Sequence, residues 1–320
     1  MKVADCSSLW ICLSLYYLIL TLNQHFILVS SSSTMKKVAV VTGGNKGIGY
    51  ATVEGLCQNF PGDVFLTARD EGRGLAAITS LNEMGYHPKF HQLDITDEQS
   101  IIKFNNYIFH EYGGLDILIN NAGIAFCYNA KVAATYPFAV QAKETILVNY
   151  FGTRKVCDVM FPILRPHARV VHLSSAYAHL LRIPSEALRK KLWADNLTVD
   201  HLDGLMSDFV RSAEQDNKVD IDWGVSAYSL SKVGLSALAR IQQREFLNDQ
   251  RADIVVNSVH PGYVVTDMTN HKGTLTIEQV LLIPGAEPSL YAALLPENIT
   301  EPKGAHILQN KTIVDWTAPF

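Results

Sequence analysis

The chain has 320 residues, of which 48% are hydrophobic and 18% are charged, a composition that suits one α/β domain or two smaller ones. A net charge of -4 and the lack of a basic stripe in the sequence argue against nucleic acid as a partner. Five cysteines without a C-x-x-C pair argue against a zinc site and a disulfide scaffold, so no metal is predicted.

The first 34 residues differ from the rest of the chain. Their apolar run of 14 residues, Leu9 to Leu22, is short for a membrane-spanning helix and suits a signal peptide or an anchor. The alternative is an upstream extension, because Met35 begins a domain with "MKKVAVVTGG". In both cases we expect residues 1–34 to lie outside the fold. Membrane contact is expected only if this leader is retained. The expected location is the cytoplasm, with the endoplasmic reticulum or secretory pathway as the alternative.

From Lys36 onward, short runs rich in β-branched residues alternate with longer amphipathic stretches. Strands are predicted at residues 37–42, 63–68, 89–94, 115–120, 168–174 and 253–259. Helices are predicted near residues 48–60, 71–84, 97–112, 138–164 and 226–248. Apolar strands that alternate with helices indicate an α/β fold. We expect a Rossmann-like, doubly wound parallel sheet in a single domain over residues 35–320.

Residues 176–225 interrupt this alternation before the last predicted helix. They contain two further helical patterns, at 185–194 and 198–216, so we expect a helical insertion here. The apolar positions of "LDGLMSDFV" (202–210) predict a face that packs beside the helix that follows.

The segment "TGGNKGIG" (42–49) follows the first predicted strand and opens the first helix. Glycines at 43, 47 and 49 allow a tight turn and let backbone amides approach a pyrophosphate at a helix N-terminus. A glycine cluster alone is often only a turn, but its place after the first strand of a parallel sheet indicates a dinucleotide site.

The second strand ends in "LTARD", where a dinucleotide-binding domain reads the adenosine ribose. Arg69 at this position favours the 2'-phosphate of NADPH, with Lys46 of the glycine loop as a second cation. The alternative is a surface pair in which Arg69 and Asp70 cap a helix. Asp94 ends the third strand and is expected near the adenine, and Asn121 lies in "NNAG" (120–123) after the fourth.

Catalytic chemistry is indicated by a serine and by a tyrosine–lysine pair. Ser175 follows the fifth strand and is expected to donate a hydrogen bond to a substrate oxygen. The alternative is that Ser175 only caps a helix. A serine nucleophile is not favoured, because the sequence lacks the G-x-S-x-G elbow of a hydrolase. Tyr228 and Lys232 lie four residues apart in "SAYSLSK", so they share one face of a helix. A cation within about 4–6 Å lowers the pKa of a phenol, which would prepare Tyr228 for proton transfer.

Together these motifs resemble the short-chain dehydrogenase/reductase family. T-G-x-x-x-G-x-G, N-N-A-G, the serine after the fifth strand, Y-x-x-x-K and "HPGYVVTDM" (260–268) are all present. The match is closest to the monomeric NADPH-dependent carbonyl reductases and covers about residues 36–316. The resemblance implies hydride transfer from NADPH to a ketone, aldehyde or quinone.

The resemblance also implies a role for each matching residue. Tyr228 would donate the proton, Lys232 would lower its pKa and hold the nicotinamide ribose, Ser175 would orient the carbonyl, and Asn149 would position a water. The cofactor would contact the glycine loop, both strand ends and the segment after the sixth strand: Gly43, Asn45, Lys46, Gly47, Ile48, Gly49, Arg69, Asp94, Ile95, Asn121, Tyr228, Lys232, Val264 and Thr266. Ser175, Tyr177 and Tyr263 would line the substrate pocket.

Three further expectations complete the sequence-based prediction. We expect a monomer, because the family often dimerises through the helices that flank the lysine and the insertion precedes them. The aromatic pocket residues predict a large apolar carbonyl substrate. A catalytically idle dinucleotide-binding sensor is the rival from another class, and a membrane-anchored lumenal steroid or retinoid reductase is a third possibility that depends on residues 1–34.

Overall fold

The computed structural model describes residues 35–128, 130–216, 222–224, 226–276 and 288–316. The fold is that of the compact unit formed by Lys36–Phe320. The predicted leader, residues 1–34, lies outside the described residues, so its signal, anchor and extension alternatives stay predictions, as does the cellular location. In the part of the chain that is described, no helix has both the length and the apolar character to cross a membrane.

Within the described ranges, the strands form one parallel sheet of seven, in the order β3-β2-β1-β4-β5-β6-β7. The order reverses beside β1, which makes the gap between β1 and β4 the switch point where ligands bind in such sheets. The strands are β1 (Lys37–Val41), β2 (Gly62–Ala68), β3 (Lys89–Gln92), β4 (Leu115–Asn120), β5 (Leu164–Leu173), β6 (Val255–Val259) and β7 (His306–Ile307). The predicted fold class is confirmed.

Helices cover both faces of the sheet. They are α1 (Gly47–Asn59), α2 (Glu71–Glu83), α3 (Glu98–Tyr112), α4 (Ala130–Thr135), α5 (Phe138–Thr145), α6 (Thr153–Met160), α7 (Glu186–Trp193), α8 (Val199–Asp216), α9 (Ala227–Phe246) and α10 (Pro288–Ala293). A π-helix, Ile146–Gly152, joins α5 to α6, so the single helix predicted over 138–164 is interrupted. The strand β7 and the short helices α4 and α10 had no clear signal in the sequence.

Successive side chains of the central strands point to opposite faces of the sheet. Both faces are buried, so these strands are apolar throughout. Val38 and Val40 of β1 are buried in the core beneath α3 and α6, together with Phe104 of α3. Ala39 and Val41 point to the opposite face and join the core beneath α1 and α2. Because the side chains of such a strand pack into two cores, its residues are buried on both faces of the sheet, as expected for a parallel sheet.

The insertion forms α7 and α8, which build a third core against α9. Leu202, Met206 and Phe209 recur on one face of α8 and are fully or almost fully buried. The Tyr150 hydroxyl of the π-helix donates to the Asp203 carboxylate at 2.8 Å and fixes α8 beside it. The prediction that this apolar face packs beside the helix that follows, α9, is confirmed. Residues 217–221 and 225 of the insertion lie outside the described residues.

Candidate active site

Four loops meet at the carboxyl edge of the sheet, beside the switch point. They follow β1, β4, β5 and β6, and they carry the glycine loop, the N-N-A-G segment, Ser175 and the segment from His260 to Thr269. Ligands of open α/β sheets bind at this edge, because parallel strands bring their loops together there. The structure therefore collects the predicted motifs in one region.

The glycine loop after β1 has the conformation that its residues predict. Gly43 and Gly47 have φ angles of 63° and 58°, a left-handed region that favours glycine. The Asn121 amide donates to the carbonyl oxygens of Thr42 and Gly43, at 2.8 and 2.9 Å. Asn121 thus holds the loop from the end of β4, a contact that its predicted role at the cofactor did not include.

The start of α1 fits a phosphate group. No side chain caps this helix, and its first turn contains no acidic residue. By contrast, Asp70 caps α2 and Asp97 caps α3. Uncapped amides at a helix N-terminus attract anions, so the residues present fit the pyrophosphate of a dinucleotide. Gly47 also leaves room across the cleft, where a β-carbon would stand 3.4 Å from Thr266.

The end of β2 distinguishes the two interpretations of Arg69. Asp70 does cap α2, but it does so through the Arg73 amide, at 2.8 Å, and its ion pair is with the Arg73 guanidinium, at 3.2 Å. Among the described residues, the exposed Arg69 guanidinium makes no hydrogen bond or ion pair. The proposed surface pair of Arg69 and Asp70 is therefore not formed.

Other predicted cofactor residues have partners of their own. Lys46 makes an exposed ion pair with Asp267, at 2.8 Å, so a bound phosphate would compete with that carboxylate. Asp94 accepts from the Thr96 amide at 2.9 Å. Ile95 is buried and belongs to the core beneath α3 and α6.

The loop after β6 forms the opposite wall of the cleft. Val264 is almost fully buried, and its carbonyl oxygen accepts from the Thr269 hydroxyl at 2.7 Å. Thr266 lies beside it and faces the glycine loop. Both residues line the same cavity as Tyr228.

Tyr228 and Lys232 lie one turn apart near the start of α9, and both are buried. The Lys232 ammonium donates to the Leu173 carbonyl oxygen at 2.6 Å and lies 5.6 Å from the centre of the Tyr228 ring. The Ser226 hydroxyl caps α9 by accepting from the Ser229 amide, at 3.3 Å, which starts the helix just before the tyrosine. The predicted shared face is confirmed.

The acid–base properties of this pair differ from the prediction. Burial raises the pKa of Tyr228 above its usual value, and hydrogen bonds from Ser175 and Tyr128 oppose that rise. Burial also lowers the pKa of Lys232 to about 8. The prediction of a lowered tyrosine pKa is therefore wrong for the protein alone, because the burial of the phenol has the largest effect on its pKa.

Ser175 and Asn149 complete the predicted set. Ser175 is buried within hydrogen-bond reach of Tyr228, and its Oγ also accepts from the Tyr177 amide at 3.1 Å, so the serine caps a short 3₁₀ turn and faces the site. Asn149 lies on the π-helix, where its Oδ1 accepts from the Ile124 amide at 2.8 Å. π-helical turns are frequent at functional sites, where the extra residue re-aims a side chain.

Asn149 and Lys232 meet beside the N-N-A-G segment. A β-carbon built on Gly123 would stand 3.1 Å from the Asn149 Oδ1 and 3.7 Å from the Lys232 Nζ. The asparagine and lysine therefore border one small space, and a glycine is needed to keep it open.

The substrate side of the site is a cavity of about 650 Å³ with aromatic walls. Tyr177 and Tyr263 line it, as predicted. Tyr128 also lines it: its ring packs edge-on against Tyr228, with centres 5.6 Å apart, and stacks on Tyr263 at 6.0 Å. Sequence reasoning missed Tyr128, because it lies in an irregular segment without a motif.

A family model for short-chain dehydrogenases matches residues 37–185. The chain is 43% identical to carbonyl reductase (NADPH) 3 of Mus musculus over 286 residues, which covers 89% of this chain and all of that relative. The chain belongs to the short-chain dehydrogenase/reductase family. It is also 43% identical to carbonyl reductase (NADPH) 1 of Homo sapiens, over 87% of this chain and 98% of that protein.

Solved structures of this family share the fold. Salutaridine reductase of Papaver somniferum is 28% identical, with a TM-score of 0.71 over 85% of this chain and 99% of that chain. Menthone neomenthol reductase of Mentha piperita is 26% identical, with a TM-score of 0.69 over 86% of this chain and 99% of that chain.

The glycine loop gives a first test of this site. A β-carbon at Gly49 would collide with the Asn121 amide and stand 2.5 Å from the Gly43 carbonyl oxygen. We expect Gly49→Ala to displace the contacts that shape the loop and to weaken NADPH binding about tenfold or more in a fluorescence titration.

Gly204 of α8 is the matched control. A β-carbon there would meet nothing within 4 Å, so Gly204→Ala should leave NADPH affinity unchanged and stabilise the helix by up to about 1 kcal/mol. Equal NADPH affinity of Gly49→Ala and the unmodified protein would contradict the assigned role of the loop.

Proposed function

We propose that Tyr228, Lys232, Ser175 and Asn149 carry out the NADPH-dependent reduction of a carbonyl group. The observation that supports this most strongly is the burial of Tyr228 and Lys232 on one face of α9, with Ser175 in hydrogen-bond reach of the phenol. The chain is an NADPH-dependent oxidoreductase of the short-chain dehydrogenase/reductase family, and its relatives are named as carbonyl reductases. When bound, NADPH supplies the hydride for the carbonyl carbon.

The pKa directions suit Tyr228 to the role of proton donor. Because burial raises the pKa of Tyr228, the phenol carries its proton at neutral pH and can donate it as negative charge develops on the carbonyl oxygen. The Ser175 hydroxyl holds the same oxygen and keeps it close to that proton. Lys232, with a pKa near 8, is mostly cationic at pH 7 and stabilises the phenolate that remains.

The loops described above support a proposed position for the cofactor. The uncapped start of α1 and the glycine loop would hold the pyrophosphate, and Arg69 would hold the 2'-phosphate. Val264 and Thr266 would border the nicotinamide, and Lys232 would bind its ribose. Asn149 would keep a water beside Lys232, through which the tyrosine regains its proton.

The cavity walls support a large apolar carbonyl as substrate. Ile183, Trp223 and Met268 line the cavity together with the tyrosines, so aromatic and aliphatic surface surrounds the reacting centre. Such walls favour ring-bearing ketones, aldehydes or quinones over small polar ones, because binding buries their apolar surface.

Removal of the transferable proton tests the assignment of Tyr228. Tyr228→Phe retains the ring and its packing against Tyr128. General acid catalysis contributes about 10²–10⁴-fold, so carbonyl-dependent NADPH oxidation should slow by about that factor while NADPH still binds. Near-full turnover by this variant would refute the proposed role.

Cofactor preference tests the role of Arg69. With Arg69 and Lys46 as cations, we expect NADPH to exceed NADH at least about a hundredfold in kcat/KM at low ionic strength, and less in salt. Arg69→Ala should lower the NADPH value about tenfold and leave the NADH value nearly unchanged.

Arg73→Ala is the matched control, because Arg73 pairs with Asp70 on the same exposed segment. It should leave the cofactor preference unaltered. A similar loss in both variants, or equal use of both cofactors by the unmodified protein, would argue against the assignment.

We also propose that the protein is a monomer. The helix α8 covers α5, the π-helix and α9 with its buried face, which includes Leu202, Met206 and Phe209. The helix α8 therefore occupies a surface through which members of the family often dimerise. Sedimentation velocity at micromolar concentration should show one species at the monomer mass, and a stable dimer would contradict the proposal.

A further inference from the structure

One arginine lies in the wall of the substrate cavity. Arg182 ends a short 3₁₀ turn, Leu180–Arg182, in which its amide donates to the His179 carbonyl oxygen at 3.0 Å. The residue lines the same cavity as Ser175 and Tyr228. It is also exposed to solvent. Arg182 therefore stands at the rim of the cavity, where a substrate enters.

The backbone around Arg182 is fixed by its neighbours. Leu180 and Ile183, which flank it in the chain, are almost fully buried in the core that α8 and α9 share. The Arg189 guanidinium of α7 donates to the carbonyl oxygens of Ile183 and Pro184, at 2.6 and 2.7 Å. Because the turn is held in this way, Arg182 loses less conformational entropy when its side chain binds a partner.

The Arg182 guanidinium stacks on one of the aromatic rings that line the cavity. Its central carbon lies 4.6 Å from the centre of the Tyr177 ring. Tyr177 belongs to the turn that Ser175 caps, since its amide donates to the Ser175 Oγ at 3.1 Å. The cation and the serine assigned to the substrate oxygen therefore belong to one wall of the cavity.

The donor groups of this guanidinium are not engaged. Within the described ranges of the chain, the Arg182 side chain makes no hydrogen bond and no ion pair. Stacking on a ring uses the face of a guanidinium and leaves the N–H groups along its edge. Two of these N–H groups match the two oxygens of a carboxylate in one plane. The free edge of Arg182 is therefore suited to an anionic group.

The charge of Arg182 has no counterpart in the cavity. Among the described residues that line the cavity, Arg182 alone is charged at neutral pH. His260 also lines it, but burial lowers the pKa of His260 to about 4, so that ring is neutral. A single cation at the rim of a largely apolar cavity attracts anions and raises their local concentration.

We propose that the enzyme prefers apolar carbonyl compounds that carry an anionic group, of which a carboxylate is the simplest, and that Arg182 binds this group. The carbonyl lies at Tyr228 and Ser175, and the apolar body of the substrate lies along the aromatic walls. Arg182 contacts no reacting atom, so it acts on substrate binding. This inference rests on the proposed function, because it assigns the cavity to the carbonyl substrate.

The alternative is an arginine that only covers the Tyr177 ring. Its removal would then change the cavity wall equally for charged and neutral substrates. Recognition of an anion predicts a loss that is confined to the charged substrate and appears in KM rather than in kcat. It also predicts that added salt weakens the preference for the charged substrate.

Two pairs of aldehydes that differ in charge separate these interpretations. The first pair is para-formylbenzoate and its neutral carboxamide, and the second pair has a biphenyl in place of the single ring. For the better of the two carboxylates, we expect Arg182→Gln to lower kcat/KM about tenfold, because a charged hydrogen bond at an exposed rim is lost. The matching carboxamide should stay within about twofold. Arg182→Lys retains the charge without the planar fork and should lose less than Arg182→Gln.

Lys190 of α7 provides the matched control. It lies in the same insertion and carries the same charge, but it pairs with Glu186 at 2.7 Å and does not line the cavity. Lys190→Gln should leave kcat/KM within about twofold for all four aldehydes. Equal losses for carboxylate and carboxamide in Arg182→Gln, no loss for either carboxylate, or a similar loss in Lys190→Gln would overturn the proposal.

Binding without turnover separates this inference from the proposed function. Biphenyl carboxylate has no aldehyde or ketone to reduce, so its affinity for the NADPH-loaded protein can be measured by calorimetric titration. We expect Arg182→Gln to weaken this affinity at least about fivefold and Lys190→Gln to leave it unchanged. No binding to the unmodified protein, or equal affinity of Arg182→Gln, would overturn the proposal. Absence of carbonyl-dependent NADPH oxidation by the unmodified enzyme would instead refute the proposed function, and the titration would still decide whether Arg182 binds a carboxylate.

Discussion

The bond from the Lys232 ammonium to the Leu173 carbonyl oxygen, at 2.6 Å, is the contact on which the geometry of the site depends. It joins α9 to the end of β5, so it sets where Tyr228 stands relative to Ser175. The ammonium is buried, and among the described residues no carboxylate pairs with it. A carbonyl oxygen compensates only part of the lost hydration, which is why burial brings the lysine pKa to about 8. The remaining donor capacity of Lys232 is available to hydroxyl groups, as a ribose would supply.

The rest of the fold keeps this cation and the neutral phenol in place. The π-helix re-aims Asn149 toward the Ile124 backbone, while Gly123 leaves the space beside Lys232 open. The insertion helix α8 packs on the outer face of α9, so the helix that carries Tyr228 and Lys232 is held between the sheet and a third core. Rigid support of this kind suits a site whose chemistry depends on the placement of a proton donor.

Much of this arrangement was predictable from the sequence, because its signals are local. Residues four apart on a helix share a face, so the pairing of Tyr228 with Lys232 follows from spacing alone. The left-handed glycines of the loop and the serine after β5 likewise follow from short motifs next to recognisable strands. The stripe of Leu202, Met206 and Phe209 predicted its own burial against α9.

Features that depend on tertiary packing were not predictable. One extra residue in the turn around Asn149 leaves no periodic signal, so the sequence predicts ordinary helix where the π-helix lies. Tyr128 reaches the site from an irregular segment. The pKa of Tyr228 was expected to fall because the neighbouring lysine is visible in the sequence, whereas the burial that raises it is not. The contact of Ser236 with His306 likewise joins distant parts of the chain.

Isotope transfer tests the central claim, hydride delivery to a carbonyl beside Tyr228, most directly. The protein would be mixed with an aromatic aldehyde and NADPH that carries deuterium on one face of C4, and each face would be tested in turn. Mass spectrometry of the alcohol should show one deuterium on the former carbonyl carbon for one labelled face and none for the other. NADPH oxidation without deuterium in the alcohol for either face, or with equal transfer from both faces, would contradict the account.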